Sequence, residues 1–72
     1  MATIRKSSTD ELRIEIRDYK DKKYLDIRSW FRESEESDKW IPTKKGVTVP
    51  IELLEQFVDA VENVTHSYLD ER

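Results

Sequence analysis

At residues 12–18 the chain reads Leu-Arg-Ile-Glu-Ile-Arg-Asp, and at residues 23–32 it reads Lys-Tyr-Leu-Asp-Ile-Arg-Ser-Trp-Phe-Arg. This alternation is typical of β-strands, because successive strand side chains point to opposite faces of a sheet. One predicted face, a core face, carries Leu12, Ile14, Ile16, Leu25 and Ile27, and the other carries Arg13, Arg17, Tyr24, Arg28, Trp30 and Arg32. Arginines interleaved with large aromatics suit a polyanion whose bases can stack, so the second face indicates a surface for single-stranded nucleic acid.

The length and composition narrow the class of protein. The chain has 72 residues, 40% of them charged and 36% hydrophobic, and no cysteine. Such a chain predicts one domain that buries only about 60% of its unfolded surface and is marginally stable without a partner. The absence of cysteine excludes a disulfide framework and a thiolate metal site. No apolar run approaches the roughly 18 residues of a membrane span, so we expect a cytoplasmic protein, nucleoid-associated if bacterial, without membrane contacts.

The formal net charge of −3 is unevenly distributed along the chain. Residues 1–48 carry 12 Lys/Arg and 10 Asp/Glu, a balance of +2, whereas residues 49–72 carry 1 and 6, a balance of −5. The basic residues therefore lie on the predicted strands and the excess acid on the C-terminal segment. This separation is compatible with nucleic-acid binding of modest affinity and strong salt dependence.

The segments that flank the first two strands are polar. Residues 1–10 are predicted to be a flexible lead-in to a single domain over residues 11–70. Arg5 and Lys6 are then either solvated or part of a basic arm that closes over a bound strand. Residues 19–22 predict a turn between the two strands, and the acidic residues 33–38 predict a polar connecting loop without site chemistry.

A second strand-forming region follows the acidic loop. Residues 39–42 predict a short third strand and residues 47–49 a fourth. Pro42 suits an edge strand or a break in the ladder, because proline cannot donate a ladder hydrogen bond. Gly46 is the only glycine in the chain. It marks a turn, a bulge or a close backbone approach, or else it lets a phosphate reach its N–H, and the residues leave both interpretations open.

From about residue 51 to residue 69 the apolar period changes to that of an amphipathic helix. Pro50 is tolerated at the helix entrance, and Glu52 and Glu55 complement the positive end of the helix dipole. The apolar arc spans about half of the helical wheel, which is wider than the ~100° stripe that packing on one small sheet requires.

The surplus apolar surface of this helix predicts a further contact. The economical partner is the same helix of a second copy in a two-fold homodimer, and the alternative is a helix sunk deep in a curled sheet. The residues predicted at the dimer interface are Leu53, Leu54, Phe57, Val58, Val61, Val64 and Tyr68.

The sequence offers little for an enzyme. His66 is the only histidine and falls on the polar arc of the predicted helix, where a solvated role is expected. The chain has no Cys/His pair, no metal-spaced cluster and no glycine-rich phosphate loop. We therefore expect no enzymatic activity, no metal and no cofactor. Asp26 lies among Arg13, Arg17 and Arg28 on the outer strand face, which predicts an ion pair that orients an arginine.

Three motifs in this order resemble a known family. They are Arg17-Asp-Tyr-Lys20, Leu25-Asp-Ile-Arg28 and Pro42-Thr-Lys-Lys-Gly46. Together they closely resemble the positive cofactor four family of transcriptional coactivators, in particular its short bacterial members, over about residues 11–66. The resemblance implies an α+β fold, with a four-stranded curved antiparallel β-sheet followed by one C-terminal α-helix. It also implies a homodimer built through the helices, with single-stranded DNA crossing the sheets.

The family's DNA contacts can be carried over by position. The resemblance implies contacts from the first hairpin, from the Asp-Ile-Arg run, from the aromatic pair that ends the second strand and from the basic pair with its glycine. These residues are Tyr19, Lys20, Lys22, Arg28, Trp30, Phe31, Lys44, Lys45 and Gly46. Trp40 is added as a further stacking residue, and Arg13 and Arg17 as additional contacts from the outer face.

Two positions depart from the eukaryotic pattern. Asp21 replaces the hairpin glycine, which places an acid beside the predicted site. Phe31 aligns with the stacking tryptophan while Trp30 takes a tyrosine position, and strict alternation sends Phe31 toward the core. A bulge is therefore required if both side chains are to reach DNA.

The sequence thus predicts a sequence-tolerant single-stranded DNA-binding protein with a role in transcription regulation. Two alternatives stay open. One is a protein-interaction module that docks a transcription partner through exposed aromatics, and the other is single-stranded RNA binding, since no residue clearly recognises a 2′-hydroxyl.

Overall fold

A computed structural model describes residues 1–71 as an antiparallel sheet followed by one helix. The strands follow one another in space in chain order, so each pair is connected by a turn or loop. The elements are β1 (Ala2–Arg5), β2 (Asp10–Tyr19), β3 (Lys22–Phe31), β4 (Ile41–Pro50), a 3-10 turn (Ile51–Leu53) and α1 (Leu54–Glu71). The predicted four-stranded antiparallel sheet with a C-terminal helix is confirmed.

The first strand corrects the prediction of a flexible lead-in. Residues Ala2–Arg5 pair with β2, with Ile4 opposite Leu12 and Arg5 opposite Glu11. The connection to β2 is closed by backbone bonds from Lys6 N and Ser7 N to Asp10 O, at 2.9 and 3.1 Å. A four-residue strand carries too little periodicity to be predicted from sequence. It forms here because β2 offers a free edge.

The last strand corrects the prediction of two separate short strands. The sequence predicts two short strands at residues 39–42 and 47–49. In the structure, residues 41–50 form one continuous strand, β4, at an edge of the sheet. Arg28 lies opposite Gly46 and Trp30 opposite Pro42, so residues 43–45 bulge opposite Ser29. The Thr43 hydroxyl holds this bulge, because it donates to Ser29 O at 2.9 Å and accepts from Lys45 N at 3.1 Å.

The register confirms the two-faced alternation of β2 and β3. Ile14 lies opposite Ile27 and Ile16 opposite Leu25 on the apolar face, where β4 adds Val47 and Val49. The opposite face, called here the polar face, carries Glu11, Arg13, Glu15, Arg17, Tyr24, Asp26, Arg28 and Trp30 on these two strands.

Helix α1 covers only part of the apolar face. The most deeply buried apolar residue, Val49, still exposes 8% of its surface, and Val58 and Val61 expose 43% and 44%. An apolar groove of about 400 Å³ stays open between sheet and helix, with Glu62 among its lining residues. The other lining residues are Ile14, Ile16, Leu25, Ile27, Leu54, Phe57, Val58 and Val61. Across residues 1–71, no helix is both long and apolar enough to cross a membrane.

Candidate nucleic-acid interface

A buried carboxylate at the centre of the polar face orients two arginines. Asp26 on β3 is only 3% exposed. Arg28 meets it with two nitrogens, Nη2 at 3.1 Å from Oδ1 and Nε at 3.4 Å from Oδ2, and Arg17 Nη1 lies 3.9 Å from Oδ2. Arg28 Nη1 also donates to Thr43 O at 2.8 Å. Asp26 therefore orients Arg28 as predicted, with Arg17 as its second partner, but Arg13 lies with a different carboxylate.

Gly46 makes room for the Arg28 guanidinium. A Cβ atom on Gly46 would lie 2.8 Å from Ile27 O and 2.9 Å from Arg28 Cζ, closer than side-chain atoms are tolerated. The backbone of β4 can therefore lie beneath the Arg28 guanidinium only if this residue has no side chain. Of the two interpretations of this glycine, the structure supports a close approach to the backbone and to Arg28.

An open groove lies at the hairpin end of the polar face, beside the turn between β2 and β3. Its volume is about 470 Å³, and it is lined by Arg17, Asp18, Tyr19, Tyr24, Asp26, Arg28 and Thr48. The Tyr19 residue is 63% exposed, and Lys20 Nζ lies 5.3 Å from the centroid of its ring. Tyr24 and Thr48 were not among the predicted site residues. Alternation had placed Tyr24 on the correct face, so that signal was available in the sequence.

The hairpin that carries Tyr19 turns through two residues in the left-handed region. Lys20 has φ 51° and Asp21 has φ 64°, and the last strand pair joins Tyr19 to Lys22. Such a two-residue turn favours Asn-Gly or Asp-Gly because both central residues need positive φ. The Lys-Asp pair is therefore strained, and it places one basic and one acidic residue directly after Tyr19.

A second cluster occupies the other end of the polar face, beside the loop between β3 and β4. Arg13 Cζ lies 4.1 Å from the centroid of the Trp30 ring. Trp40 is surrounded by Arg32, Arg5 and Arg13, with Cζ atoms 4.8, 5.4 and 5.8 Å from its ring centroid. The predicted site residues Trp30 and Trp40 are thus brought together on the polar face, each in contact with arginine rather than freely exposed.

The buried carboxylate of Glu11 holds this second cluster together. Its Oε1 accepts from Arg13 Nε at 2.6 Å, and its Oε2 lies 3.6 Å from Arg5 Nε. Arg32 donates through Nε to Ser8 O at 2.9 Å and through Nη1 to Ser37 O at 3.3 Å. Neither Glu11 nor Arg32 was predicted as a site residue. No pattern marked Glu11, because an acid on the solvent-side alternation of a strand is ordinary.

Phe31 lies apart from the other predicted site residues. The β2–β3 register runs without interruption from Asp10 opposite Phe31 to Tyr19 opposite Lys22. The bulge in this part of the sheet lies in β4, and not in β3 where it would be required to turn both aromatics outward, so the alternation of β3 is unchanged. Trp30 therefore faces the polar side and Phe31 the apolar side.

The predicted lysines lie at the two rims of the polar face. Lys20 and Lys22 are exposed at the hairpin, and Lys44 and Lys45 are exposed in the bulge of β4. His66 lies exposed on α1 with its Nε2 3.1 Å from Asp70 Oδ2, in keeping with the solvated role expected for it. Within residues 1–71, no group of three or more His, Asp or Glu side chains is placed to hold a metal ion.

Comparisons with known proteins agree with this geometry. Residues 6–60 match the model of the family described as Transcriptional Coactivator p15 (PC4). The chain is similar to BPSL1147, a PC4 homologue from Burkholderia pseudomallei, with 28% identity and a TM-score of 0.78. The similarity covers 90% of this chain, with 85% of that chain in an orthorhombic crystal form and 93% in a tetragonal form.

A phage protein shares the same fold. It is the bacteriophage T5 homologue of the eukaryotic transcription coactivator PC4, implicated in recombination-dependent DNA replication. Its identity to this chain is 22% and its TM-score 0.73, over 93% of this chain and 78% of that chain. No curated protein sequence matches this chain.

Proposed function

Because the chain belongs to the Transcriptional Coactivator p15 (PC4) family, we propose that it is a sequence-tolerant single-stranded DNA-binding protein that acts as a transcription cofactor. The observation that carries the proposal is the hairpin-end groove. There, Asp26 orients Arg17 and Arg28 beside two tyrosines that line an open surface. Oriented cations beside accessible aromatic rings are the two elements that single-strand binding requires.

The arginines and lysines of the polar face supply the contacts to phosphate. Arg28 is held by three hydrogen bonds, to both carboxylate oxygens of Asp26 and to Thr43 O, so little side-chain entropy is lost when a phosphate binds it. Lys20 and Lys22 at the hairpin and Lys44 and Lys45 at the bulge add exposed positive charge on either side. Together they can neutralise successive phosphates of one strand.

The tyrosines account for the preference for a single strand. Tyr19 is largely exposed and Tyr24 lies within the same groove, so both can stack on unpaired bases. Each stacked base contributes about 1–3 kcal/mol in alanine substitutions of such sites. A duplex hides the faces of its bases, so we expect duplex DNA to gain only the phosphate contacts.

We also propose that the working unit is a homodimer formed through the apolar face. The groove between sheet and helix is apolar, and Leu53, Val64 and Tyr68 of the predicted interface are exposed beyond it. A single small chain is marginal, whereas a second copy that covers this surface adds buried area at about 25 cal/mol per Å².

The proposal is tested by titration of a fluorescent single strand of ~20 nucleotides, and of the matching duplex, at two salt concentrations. We expect salt-sensitive binding that prefers the single strand. Lys45→Ala should weaken binding for all sequences and make the salt slope shallower by ~0.7. Lys6→Ala is the matched control, because the Lys6 amine bonds Ser29 Oγ on the apolar face at 3.0 Å.

Two results would contradict the proposal. If single strand and duplex bind with equal affinity, the tyrosines of the groove do not stack on unpaired bases. If Lys45→Ala leaves the affinity and the salt slope unchanged, Lys45 does not contact the phosphates of the bound strand.

A further inference from the structure

The polar face carries a similar arrangement of charges at each end. At the hairpin end Asp26 holds Arg28 and contacts Arg17, which also pairs with Glu15 at 3.5 Å, and at the loop end Glu11 holds Arg13 and Arg5. In each case one arginine is mostly covered, with side-chain exposures of 23% for Arg28 and 19% for Arg13. The other is open, at 55% for Arg17 and 56% for Arg5. The second group is therefore built like the first.

The two groups form one continuous basic track. Arg13 and Arg28 lie directly opposite each other on β2 and β3. Like charges in this position repel, but each arginine is drawn to its own buried carboxylate, which lies two residues away on the same strand. Glu11 and Glu15 are four residues apart on β2, and Glu15 lies opposite Asp26. Along the strand direction, the positions of Glu11 and Asp26 are therefore about 13 Å apart, at ~3.3 Å per residue.

The loop-end group has unused charge and unused donors. Arg5, Arg13 and Arg32 surround Trp40, and Glu11 pairs with Arg5 and Arg13, which leaves an excess of two positive charges. Within residues 1–71 the Nη groups of Arg5 and Arg13 donate no hydrogen bond to a protein acceptor. The acids of the neighbouring loop do not supply one either. In the described part of the chain, Glu33, Glu35, Glu36 and Asp38 form no ion pair.

The tryptophans at this end indicate a phosphate rather than a base as the ligand. One face of Trp30 is covered by the Arg13 guanidinium, and three guanidiniums lie within 6 Å of the Trp40 ring centre. Guanidiniums that stack on aromatic faces keep the edges of their N–H groups free for bidentate contact with an oxyanion. The rings therefore serve as platforms for arginine.

From these observations we infer that Arg5 and Arg13, positioned by Glu11 and supported by Trp30 and Trp40, form a second phosphate-binding subsite. It binds the backbone of the same single strand and carries the bound strand from the hairpin end across β2 to β1. This inference rests on the proposed function. It adds the N-terminal strand to the binding surface and gives Glu11 the role of a positioning residue.

The test compares Arg5→Ala with Arg17→Ala, because the two arginines have matched exposure and each contacts a buried carboxylate. Binding is measured by anisotropy with thymidine oligonucleotides of about 4 to 16 nucleotides, the range of common single-strand site sizes. Lys6→Ala is the control, since it removes the same charge one residue later on the apolar face. Thermal unfolding of every variant shows whether the fold is kept.

Arg17→Ala should weaken binding at every length. Arg5→Ala should leave the shortest strands unaffected and weaken the longest about tenfold to a hundredfold, the loss expected for a charged hydrogen bond. Its salt slope with long strands should become shallower by ~0.7, and Arg5→Lys should restore that slope because the slope counts charges. Lys6→Ala should bind like the unmodified protein at all lengths.

Several outcomes overturn the subsite while leaving the proposed function in place. If Arg5→Ala binds like Lys6→Ala at every length, the loop end contacts no phosphate. If Arg5→Ala weakens all lengths equally and also lowers the unfolding temperature, Arg5 has a structural role only. If the unmodified protein binds no single strand of any length, the proposed function is wrong and the subsite is rejected with it.

Discussion

On the polar face of the sheet Glu11 and Asp26 are almost fully buried and each contacts two arginines, whereas on the apolar face Ile16 and Val47 leave about half of their surface exposed. Soluble domains normally show the reverse, with carboxylates in water and aliphatic side chains inside. The charged groups of the polar face are therefore paired within one chain. The apolar face is left with surface that only another apolar surface can cover.

The difference has an energetic reason. A buried carboxylate is costly unless it is paired, so its partners must be present in the same chain before any ligand binds. An apolar surface that stays exposed costs much less per residue and can wait for a second copy. The polar face is therefore preorganised for binding, while we expect the stability of the fold to depend on what covers the apolar face.

The largest effect is expected from a charge introduced on the apolar face. Val61→Asp places a carboxylate in the proposed dimer interface, where an unpaired buried charge destabilises by about 3–5 kcal/mol. Sedimentation equilibrium should show half of the original mass, and thermal unfolding should occur at a clearly lower temperature. Asn63→Asp is the control, because it adds the same acid on the polar arc of α1.

The opposite result would show that the apolar face does not form an interface. If Val61→Asp and Asn63→Asp have the same mass and the same unfolding temperature as the unmodified protein, then no second copy covers the apolar face.

A smaller effect is expected where the polar face is most tightly packed. Gly46→Ala puts a Cβ 2.8 Å from Ile27 O, and because that oxygen belongs to the backbone the strand pair has to shift. Overpacking of this kind costs about 1–3 kcal/mol. Urea unfolding should show a lower midpoint, and the displaced Arg28 should weaken single-strand binding.

Lys45→Ala provides the control for this stability measurement. It introduces alanine at the adjacent exposed position and should change the free energy of unfolding by less than about 0.5 kcal/mol. Equal stability of the two variants would show that the contact between β4 and Arg28 is loose.

The smallest effect is expected at the hairpin tip, where both faces end. Asp21 adopts φ 64°, which costs an ordinary residue about 1–2 kcal/mol and glycine very little. Asp21→Gly should therefore raise the free energy of unfolding by about 1 kcal/mol, measured by urea unfolding. Asp21→Ala removes the same charge without relieving the backbone, so it separates the two causes. If both variants gain equally, the acid rather than the turn is the source of the strain.

Several parts of this architecture could be predicted from local pattern. The alternation of Ile14, Ile16, Leu25 and Ile27 fixed both long strands and their faces, because a strand period of two is visible in ten residues. The same rule placed Tyr24, Trp30 and Arg28 together on the polar face. It also correctly indicated that Phe31 points away from them.

Other parts could not be predicted, because they depend on contacts between distant residues. Strand β1 forms from residues 2–5 only because β2 pairs with them. Residues 41–50 form one strand because the Thr43 hydroxyl bridges the bulge to Ser29. Glu11 joins the loop-end cluster through Arg5 and Arg13, which approach it from two strands.

The sequence alone was enough to predict the sheet faces, the C-terminal helix, the family and the basic and aromatic character of the proposed binding surface. These properties follow from side-chain chemistry and from the periods of strand and helix, which are local. The tertiary structure was needed to show which arginine pairs with which carboxylate. It was also needed to show that the Arg13 guanidinium covers the Trp30 ring and that Gly46 makes room for Arg28. Those outcomes require distances across three strands, and such distances are set when the register forms and not by any single segment.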